Sequence, residues 1–409
     1  VSQPLRILLS AYACRPNMGS EPGVGWNLAW AIAQHYPVWV LTRENNRPFI
    51  EAELAQNPSP NLHFIYCDVP GANLWNRSGK AVYLHYYLWQ ISAYTTAKRL
   101  LPQLQWDVIH HVTYVRYSSP SFLSLLPVPF VWGPVGGGEM APQAFWPDFG
   151  PSARRYEVLR RLAHRLGEAD PFARMTACRS ALVRATTQDT ADRLQLMGAQ
   201  QPELYSALGL STEEIATLGA IATPDPAPLR LISIARLLHW KGLHLGLRAF
   251  AAAQLANAEY WILGDGPERD RLQALAQNLG VAEQVKFLGR LPRHETLSRL
   301  SKSHVLVHPS LHDSGGWVCL EAMAAGRPVV CLDLGGPAVQ VTEETGFKIT
   351  PQSPAQAVHD LAEAMSQLAV DPNLRSCMGR AGQQRVKEHF SWEQKAKSLI
   401  ETYKLVIKK

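Results

Sequence analysis

The sequence predicts an α/β protein built from two parallel-sheet units in one chain, and three observations carry that prediction. Short apolar runs alternate with longer helix-periodic stretches along the chain, the pattern of successive βαβ units. Three prolines in six residues, Thr223-Pro-Asp-Pro-Ala-Pro228, interrupt the alternation near its middle. The length, 409 residues, fits two domains at roughly 100–200 residues each.

Before the prolines, Leu5–Leu9, Val38–Leu41, Leu62–Tyr66, Val108–His110 and Phe130–Trp132 read as strands. Gly25–Gln34 and Tyr83–Leu100 read as helices between them. After the prolines the series restarts with strands at Arg230–Ile234, Tyr260–Leu263, Val285–Phe287, Val305–His308 and Val329–Leu332. The tail Trp392–Val406 is helical in pattern, with Ser391 placed as its N-cap. The reading is therefore a first domain over 1–222, a second over 229–390 and a terminal helix over 391–409.

Composition narrows the class. Hydrophobic residues make up 46% and charged residues 18%, a globular balance. A net charge of +6 is mild for this length and suits an anionic small ligand or surface. With no RNA-reading motif or zinc-finger spacing, nucleic acid is not an expected partner. The six cysteines are scattered without a C-x-x-C pair, so a metal or dithiol site is not expected and a reducing cytoplasm is. Arg6-Ile-Leu-Leu-Ser10 is too short for a signal peptide, and no apolar run reaches the roughly 20 residues of a membrane span.

One segment stands apart. Ser152–Arg184 carries eight arginines against Glu157, Glu168 and Asp170, with Val158, Leu159, Leu162 and Leu166 at helical spacing. This reads as a basic amphipathic helix. Such a helix either lies on an anionic membrane or turns its apolar stripe to the core and its arginines to water.

The strongest chemical constellation runs from Asp313 through Ser314, Gly315, Gly316 and Trp317 to Glu321. It follows a strand and opens a helix. A helix N-terminus presents unpaired N–H groups and partial positive charge, which suits a phosphate. Glu321, one turn in, suits a diol, and Asp313 suits further hydroxyls. Phosphate flanked by hydroxyls describes a nucleotide sugar; structural acids at a helix start are the plainer alternative. The second constellation is Arg236 and Lys241 on the loop after Arg230–Ile234. A guanidinium fork and a point charge at a strand's carboxyl end hold a diphosphate and stabilise a departing one. Alone, they are equally well two surface cations. The turn Gly264-Asp-Gly-Pro267 ends the next strand and either borders the nucleotide or is an ordinary turn.

In the first half, Gly19, Gly23 and Gly25 lie in an anion-friendly loop after the first strand, but the G-x-G-x-x-G fingerprint of dinucleotide binding fails. His110 and His111 end the fourth strand, where a histidine either binds a sugar hydroxyl or is structural. The loop Gly133–Glu139 is placed at an acceptor cleft. His308 and His312 are rejected as a zinc pair because Pro309 lies between them.

Taken together, Asp313-x7-Glu321, the following Ala-Met-Ala-Ala-Gly-Arg-Pro-Val, the Arg236/Lys241 pair and the Gly264 turn resemble family 4 of the retaining glycosyltransferases. The resemblance is strong from about Leu229 to Tyr403 and weaker before. It implies the GT-B architecture, two Rossmann-like domains facing across a cleft, with the C-terminal helix crossing back to the first. It implies a hexose transferred from a nucleotide diphosphate sugar, UDP- or GDP-linked, to a hydroxyl of a glycan or lipid-linked glycan. No cofactor or metal is implied. Arg236 and Lys241 would hold the diphosphate, Glu321 the ribose and Asp313, where the family usually has Glu, the sugar. Gly315, Gly316 and Trp317 would give backbone contacts, and Gly264 and Gly19 would border the phosphates. His111 would match the histidine beside the transferred sugar, although the family often spaces its two histidines by one residue. A cytoplasmic protein, peripheral on the inner face of the plasma membrane through segment 152–184, completes the expectation. A nucleotide-sugar epimerase and a non-catalytic nucleotide-sugar-binding subunit are the alternatives.

Overall fold

The computed structural model describes residues 4–71 and 81–408. The chain divides into two compact units. The first holds Val1–Gly138, Leu162–Ser211 and Trp392–Lys409; the second holds Glu139–Arg161 and Thr212–Ser391.

Seven strands form the sheet of the first unit: β1 (Ile7–Ala11), β2 (Val38–Thr42), β3 (Leu62–Tyr66), β4 (Val108–Thr113), β5 (Phe130–Val135), β6 (Leu182–Ala185) and β7 (Glu203–Leu204). Their spatial order is β3-β2-β1-β4-β5-β6-β7, and every pairing is parallel. The sheet of the second unit has β8 (Leu229–Ile234), β9 (Ala258–Leu263), β10 (Val285–Gly289), β11 (Val305–His308), β12 (Val329–Leu332) and β13 (Gly346–Ile349). Its order is β10-β9-β8-β11-β12-β13, again all parallel. Central strands such as β1 and β11 are buried along their whole length. Helices cover both faces of a parallel sheet, so its strands read as continuous apolar runs.

This order fixes where ligands gather. The chain starts each sheet in the middle and winds outward both ways. Strand order therefore reverses between β1 and β4 in one sheet, and between β8 and β11 in the other. The crevice beyond the carboxyl ends of such a strand pair is the ligand position of open α/β sheets. The Gly19 loop follows β1, the Arg236 loop follows β8 and the Asp313 loop follows β11.

Three features differ from the sequence reading. First, Glu139–Arg161, which the sequence reading assigns to the first domain, folds with the second unit. Ala141, Phe145, Phe149 and Ala153 pack into the second core beside Leu247, Phe250 and Leu361. Fully burying each phenylalanine contributes about 1.5–3 kcal/mol, enough to fix the segment there. Second, the Pro-rich stretch does not mark the division. His304 donates to the Asp225 carbonyl at 2.9 Å and Arg327 to the Ala222 carbonyl at 2.8 Å, so this stretch is docked on the second unit. Third, Ser152–Arg184 is not one helix. It forms helices Pro151–Glu168 and Pro171–Arg179, and then β6, where Arg184 is buried. Asp170 separates the helices: its carboxylate accepts from the N–H groups of Phe172 and Ala173, with Pro171 at the first helical position.

The C-terminal helix Trp392–Ile407 belongs to the first unit. Tyr403 shares a 2.6 Å hydrogen bond with His110 Nδ1, Arg184 donates to Thr402 Oγ1 at 2.8 Å, and Lys395 donates to the Ser206 carbonyl at 2.6 Å.

Candidate functional site

The second unit brings the two main constellations together. After β8 the chain turns out through Arg236, forms the short turn His239–Lys241 and enters the helix Leu243–Ala252 at Gly242. Gly242 has φ 63°, and a Cβ there would stand 1.9 Å from the Pro309 carbonyl oxygen. Only glycine lets the loop after β8 touch the backbone of the loop after β11. Leu311 N–H donates to the Trp240 carbonyl at 2.8 Å, joining the loops a second time. Gly264 braces the other side. Its φ is 132°, and a Cβ there would lie 1.8 Å from the Ala235 oxygen, so the Gly264 turn supports the Arg236 loop from beneath.

At the tips, Lys241 Nζ donates to Asp313 Oδ2 at 2.5 Å. His308 Nε2 approaches the same oxygen at 3.3 Å. Asp313 Oδ1 accepts from the N–H groups of Gly315 and Gly316 at 3.2 and 3.3 Å. Burial alone would raise the Asp313 carboxyl. The His308 hydrogen bond and the Lys241 charge outweigh it and hold the group far below the ordinary carboxylate range. Asp313 is thus a fixed anion whose two oxygens are both engaged. It organises the turn and orients the lysine, whereas the sequence reading aims it at sugar hydroxyls. The side chains of the pair are only 17% and 19% exposed, so the charge contact is largely screened from solvent. Arg236, by contrast, is exposed, and its guanidinium has no ion-pair partner among the described residues.

Gly316, with φ 74°, is the N-cap of the helix Trp317–Ala324. Gln340 Nε2 donates to the Gly315 carbonyl at 2.5 Å, and Ser314 Oγ to Glu139 Oε2 at 2.6 Å. Trp317 is half-buried, with an indole N–H that has no hydrogen-bond partner among the described residues. Glu321, in the second turn of that helix, is 7% exposed. It accepts from Arg293 Nη1 at 2.5 Å, and Arg293 also reaches Glu214 at 3.1 Å. Burial raises the Glu321 carboxyl above the ordinary range despite Arg293.

Sequence reasoning missed Arg293 and Gln340, and it put Glu139 in a loop at an acceptor cleft without its contact to Ser314. Their partners lie far away in sequence, so no local spacing signals them. It also missed that His308 and His312 flank the site: they face Asp313 and Glu157 separately, at 3.3 and 3.6 Å.

In the first unit, Gly19 is exposed and caps the helix Ser20–Ala33 after β1. The tightly placed glycines are its neighbours: a Cβ at Gly23 would meet the Met18 oxygen at 2.0 Å, and one at Gly25 the Ala13 oxygen at 2.4 Å. His110 and His111 do not end β4; the strand runs on to Thr113 and both are fully buried. His110 is bonded through both nitrogens, to Tyr403 and to the Gly133 carbonyl. His111 Nε2 lies 3.1 Å from the Tyr86 hydroxyl, and burial pushes its pKa down to about 4. It is therefore a neutral imidazole beneath the surface at neutral pH.

What this geometry offers is two cations at the switch point of a parallel sheet, a helix N-terminus beside them, and a carboxylate one turn further in. Comparison with known proteins identifies the domain that carries these residues. Residues 221–385 match the family model Glycosyl transferases group 1. An uncharacterized glycosyltransferase of Methanocaldococcus jannaschii, MJ1607, is 33% identical over 180 residues, 43% of this chain and 45% of that protein. The D-inositol 3-phosphate glycosyltransferase of Corynebacterium urealyticum is 35% identical over 181 residues, 42% of each. The matched stretches span less than half the length of these relatives. Among solved structures, sucrose-phosphate synthase of Thermosynechococcus elongatus superposes with TM-score 0.63 at 19% identity, covering 98% of this chain and 99% of that one. Anabaena Alr3699/HepE in complex with UDP gives TM-score 0.59 at 19% identity, covering 97% and 99%. The fold is GT-B, and the second unit carries a Glycosyl transferases group 1 domain.

Proposed function

We propose that the protein is a retaining glycosyltransferase of family 4. It moves a hexose from a UDP- or GDP-sugar to a hydroxyl acceptor, a glycan or a lipid-linked glycan. The observation that carries this reading is the Lys241–Asp313 pair, with Arg236 on the same loop as Lys241, where strand order reverses between β8 and β11. Arg236 and Lys241 hold the diphosphate. Asp313 keeps the ammonium aimed, and Glu321 takes the ribose hydroxyls. A UDP donor draws support from HepE, whose structures are complexes with UDP and with UDP-glucose.

In the proposed reaction the bond from the anomeric carbon to the diphosphate oxygen breaks. The acceptor oxygen bonds that carbon from the same face, and its proton passes to the departing phosphate oxygen. Two fixed cations stabilise the growing charge on the leaving group. The step needs neither a protein nucleophile nor a metal. Incubation with UDP- and GDP-hexoses and a hydroxyl acceptor is expected to release nucleotide only when acceptor is present, and to give a product that keeps the donor's anomeric configuration by NMR. An inverted product contradicts the reading, and acceptor-independent release of nucleotide favours an epimerase.

No described helix is long and apolar enough to cross a membrane. We extend the proposal to peripheral binding at the inner face of the plasma membrane, for which the helix Pro151–Glu168 gives support. Val158, Leu159, Leu162 and Leu166 are 56%, 66%, 53% and 66% exposed, so this stripe does not face a core. Arg154, Arg155 and Arg165 are exposed along the same helix. Apolar side chains beside arginines suit the headgroup region of an anionic bilayer. The protein is expected to sediment with phosphatidylserine vesicles at low salt and to release at about 0.5 M salt, with binding lost in Leu159→Glu/Leu162→Glu. Equal sedimentation of that variant overturns this extension.

A further inference from the structure

Behind the Lys241 loop lies a buried charge that the proposed chemistry does not use. Glu157 sits on the helix Pro151–Glu168, within the segment that folds with the second unit, and its side chain has no exposed surface. His239 Nε2 donates to Glu157 Oε1 at 2.9 Å, and His312 Nε2 stands 3.6 Å from the same oxygen. Oε2 has no hydrogen-bond partner among the described residues. His239 opens the turn that ends in Lys241, and His312 immediately precedes Asp313. One carboxylate therefore faces both loops whose tips form the Lys241–Asp313 pair.

The rings around it reinforce the same two loops. Trp240 is stacked between Tyr156 and His312, with centroids 5.1 Å from each and interplanar angles of 13° and 15°. Phe149 stands edge-on to His239 at 4.9 Å. Arg160 and Glu139 are the other charged groups acting on His312. Burial pushes the Glu157 carboxyl up, but the two histidines outweigh it and bring it down to about 2. The group is an anion throughout the neutral range.

Packing alone does not account for this arrangement. A buried carboxylate with an unmet oxygen is costly, and a neutral or apolar side chain of similar volume would often serve stability better. Its position explains it: the charge clasps the two loops beside their backbone hydrogen bond, Leu311 N–H to the Trp240 carbonyl, on the way to the tips.

We propose that Glu157 is a positioning residue of the donor site, which through His239 and His312 fixes the spacing of the Lys241 and Asp313 loops and so sets affinity for the donor diphosphate. The inference rests on the donor-site reading above. Misplacing a binding group by about 1 Å costs up to about a hundredfold in function, so a loosened clasp is read in binding.

The test is calorimetric titration of UDP and GDP into the wild-type protein and Glu157→Gln, with donor kinetics alongside. Glu157→Gln is expected to weaken the nucleotide Kd and raise the donor KM by about tenfold or more. Its kcat should fall as well, because Lys241 also stabilises the departing diphosphate, while its Tm stays within about 4 °C. His239→Gln should give the same loss, and the double variant no further loss, because both act through one contact. Unchanged Kd in a folded Glu157→Gln overturns the proposal, as does full additivity in the double variant. Should Glu157→Gln not fold, the proposal is decided by His239→Gln and His312→Asn, whose wild-type affinities would overturn it. Failure of the wild-type protein to bind either nucleotide overturns the donor reading and this inference with it.

Discussion

Alanine at Lys241 is expected to lower kcat/KM for the sugar donor by on the order of 10²–10³-fold, the usual loss when one preorganised donor to a developing anion is removed. The ammonium contacts Asp313 at 2.5 Å and the Lys241 side chain is 17% exposed, so solvent replaces it poorly. Part of the loss is expected in kcat, because charge on the leaving diphosphate grows in the transition state. Removing one partner of a largely buried pair also destabilises, by about 3–5 kcal/mol where the remaining charge has no other support. Asp313 keeps the Gly315 and Gly316 N–H groups and His308, so the expected drop is smaller. Melting curves separate the two effects. A folded Lys241→Ala with wild-type turnover contradicts the site.

Glu321→Ala is expected to act differently. The ribose lies away from the reacting carbon, so its loss should fall mainly on donor KM, with kcat/KM reduced by about a hundredfold. That corresponds to losing one or two hydrogen bonds to a charged group, about 1.5–3 kcal/mol each. The pH dependence has a definite sign. Burial lifts the Glu321 carboxyl above the ordinary range despite Arg293. As pH falls, donor binding should therefore weaken at a higher pH than an ordinary carboxylate would give. Steady-state donor KM from about pH 4 to 8, a span covering the ordinary carboxylate range, measures this. A flat profile in the wild type, or an unchanged KM in Glu321→Ala, contradicts the ribose assignment.

Much of the fold is legible in the sequence, for a local reason. Strand β8 is an apolar run opened by Pro228 and β11 is one closed by Pro309, and a motif loop follows each. The loops after β8 and β11 therefore declare their place at a sheet's carboxyl edge before any tertiary contact is known. What is not legible depends on long-range packing. Nothing near Phe145 or Phe149 says which core takes them, yet that choice moves Glu139–Arg161, and Glu157 with it, into the second unit. The proline-rich stretch suggests a free connector because the donors that dock it, His304 and Arg327, lie some eighty and a hundred residues away in sequence. The helix break at Asp170-Pro171 is different. An aspartate before a proline is a helix-start signal, and it outweighs the basic periodicity running through it.

The site follows the same division. Arg236 and Lys241 stand on the loop where strand and spacing put them, whereas the state of Asp313 does not follow from spacing. Its carboxylate folds back on its own turn and on the lysine, a geometry set by Gly315, Gly316 and His308 together. Arg293 opens the helix Arg293–Ser301, which carries the chain from β10 at the sheet edge back to β11, and from there it reaches Glu321.

The central claim is that the second unit holds a nucleotide diphosphate sugar between Arg236, Lys241 and Glu321. Its most direct test is titration calorimetry of UDP-, GDP-, ADP- and TDP-sugars into the wild-type protein and into Lys241→Ala/Glu321→Ala. One nucleotide class is expected to bind the wild type with 1:1 stoichiometry, and that binding to be lost in the double variant while its fold persists. No binding by any of the four classes, or equal binding by the double variant, would contradict it.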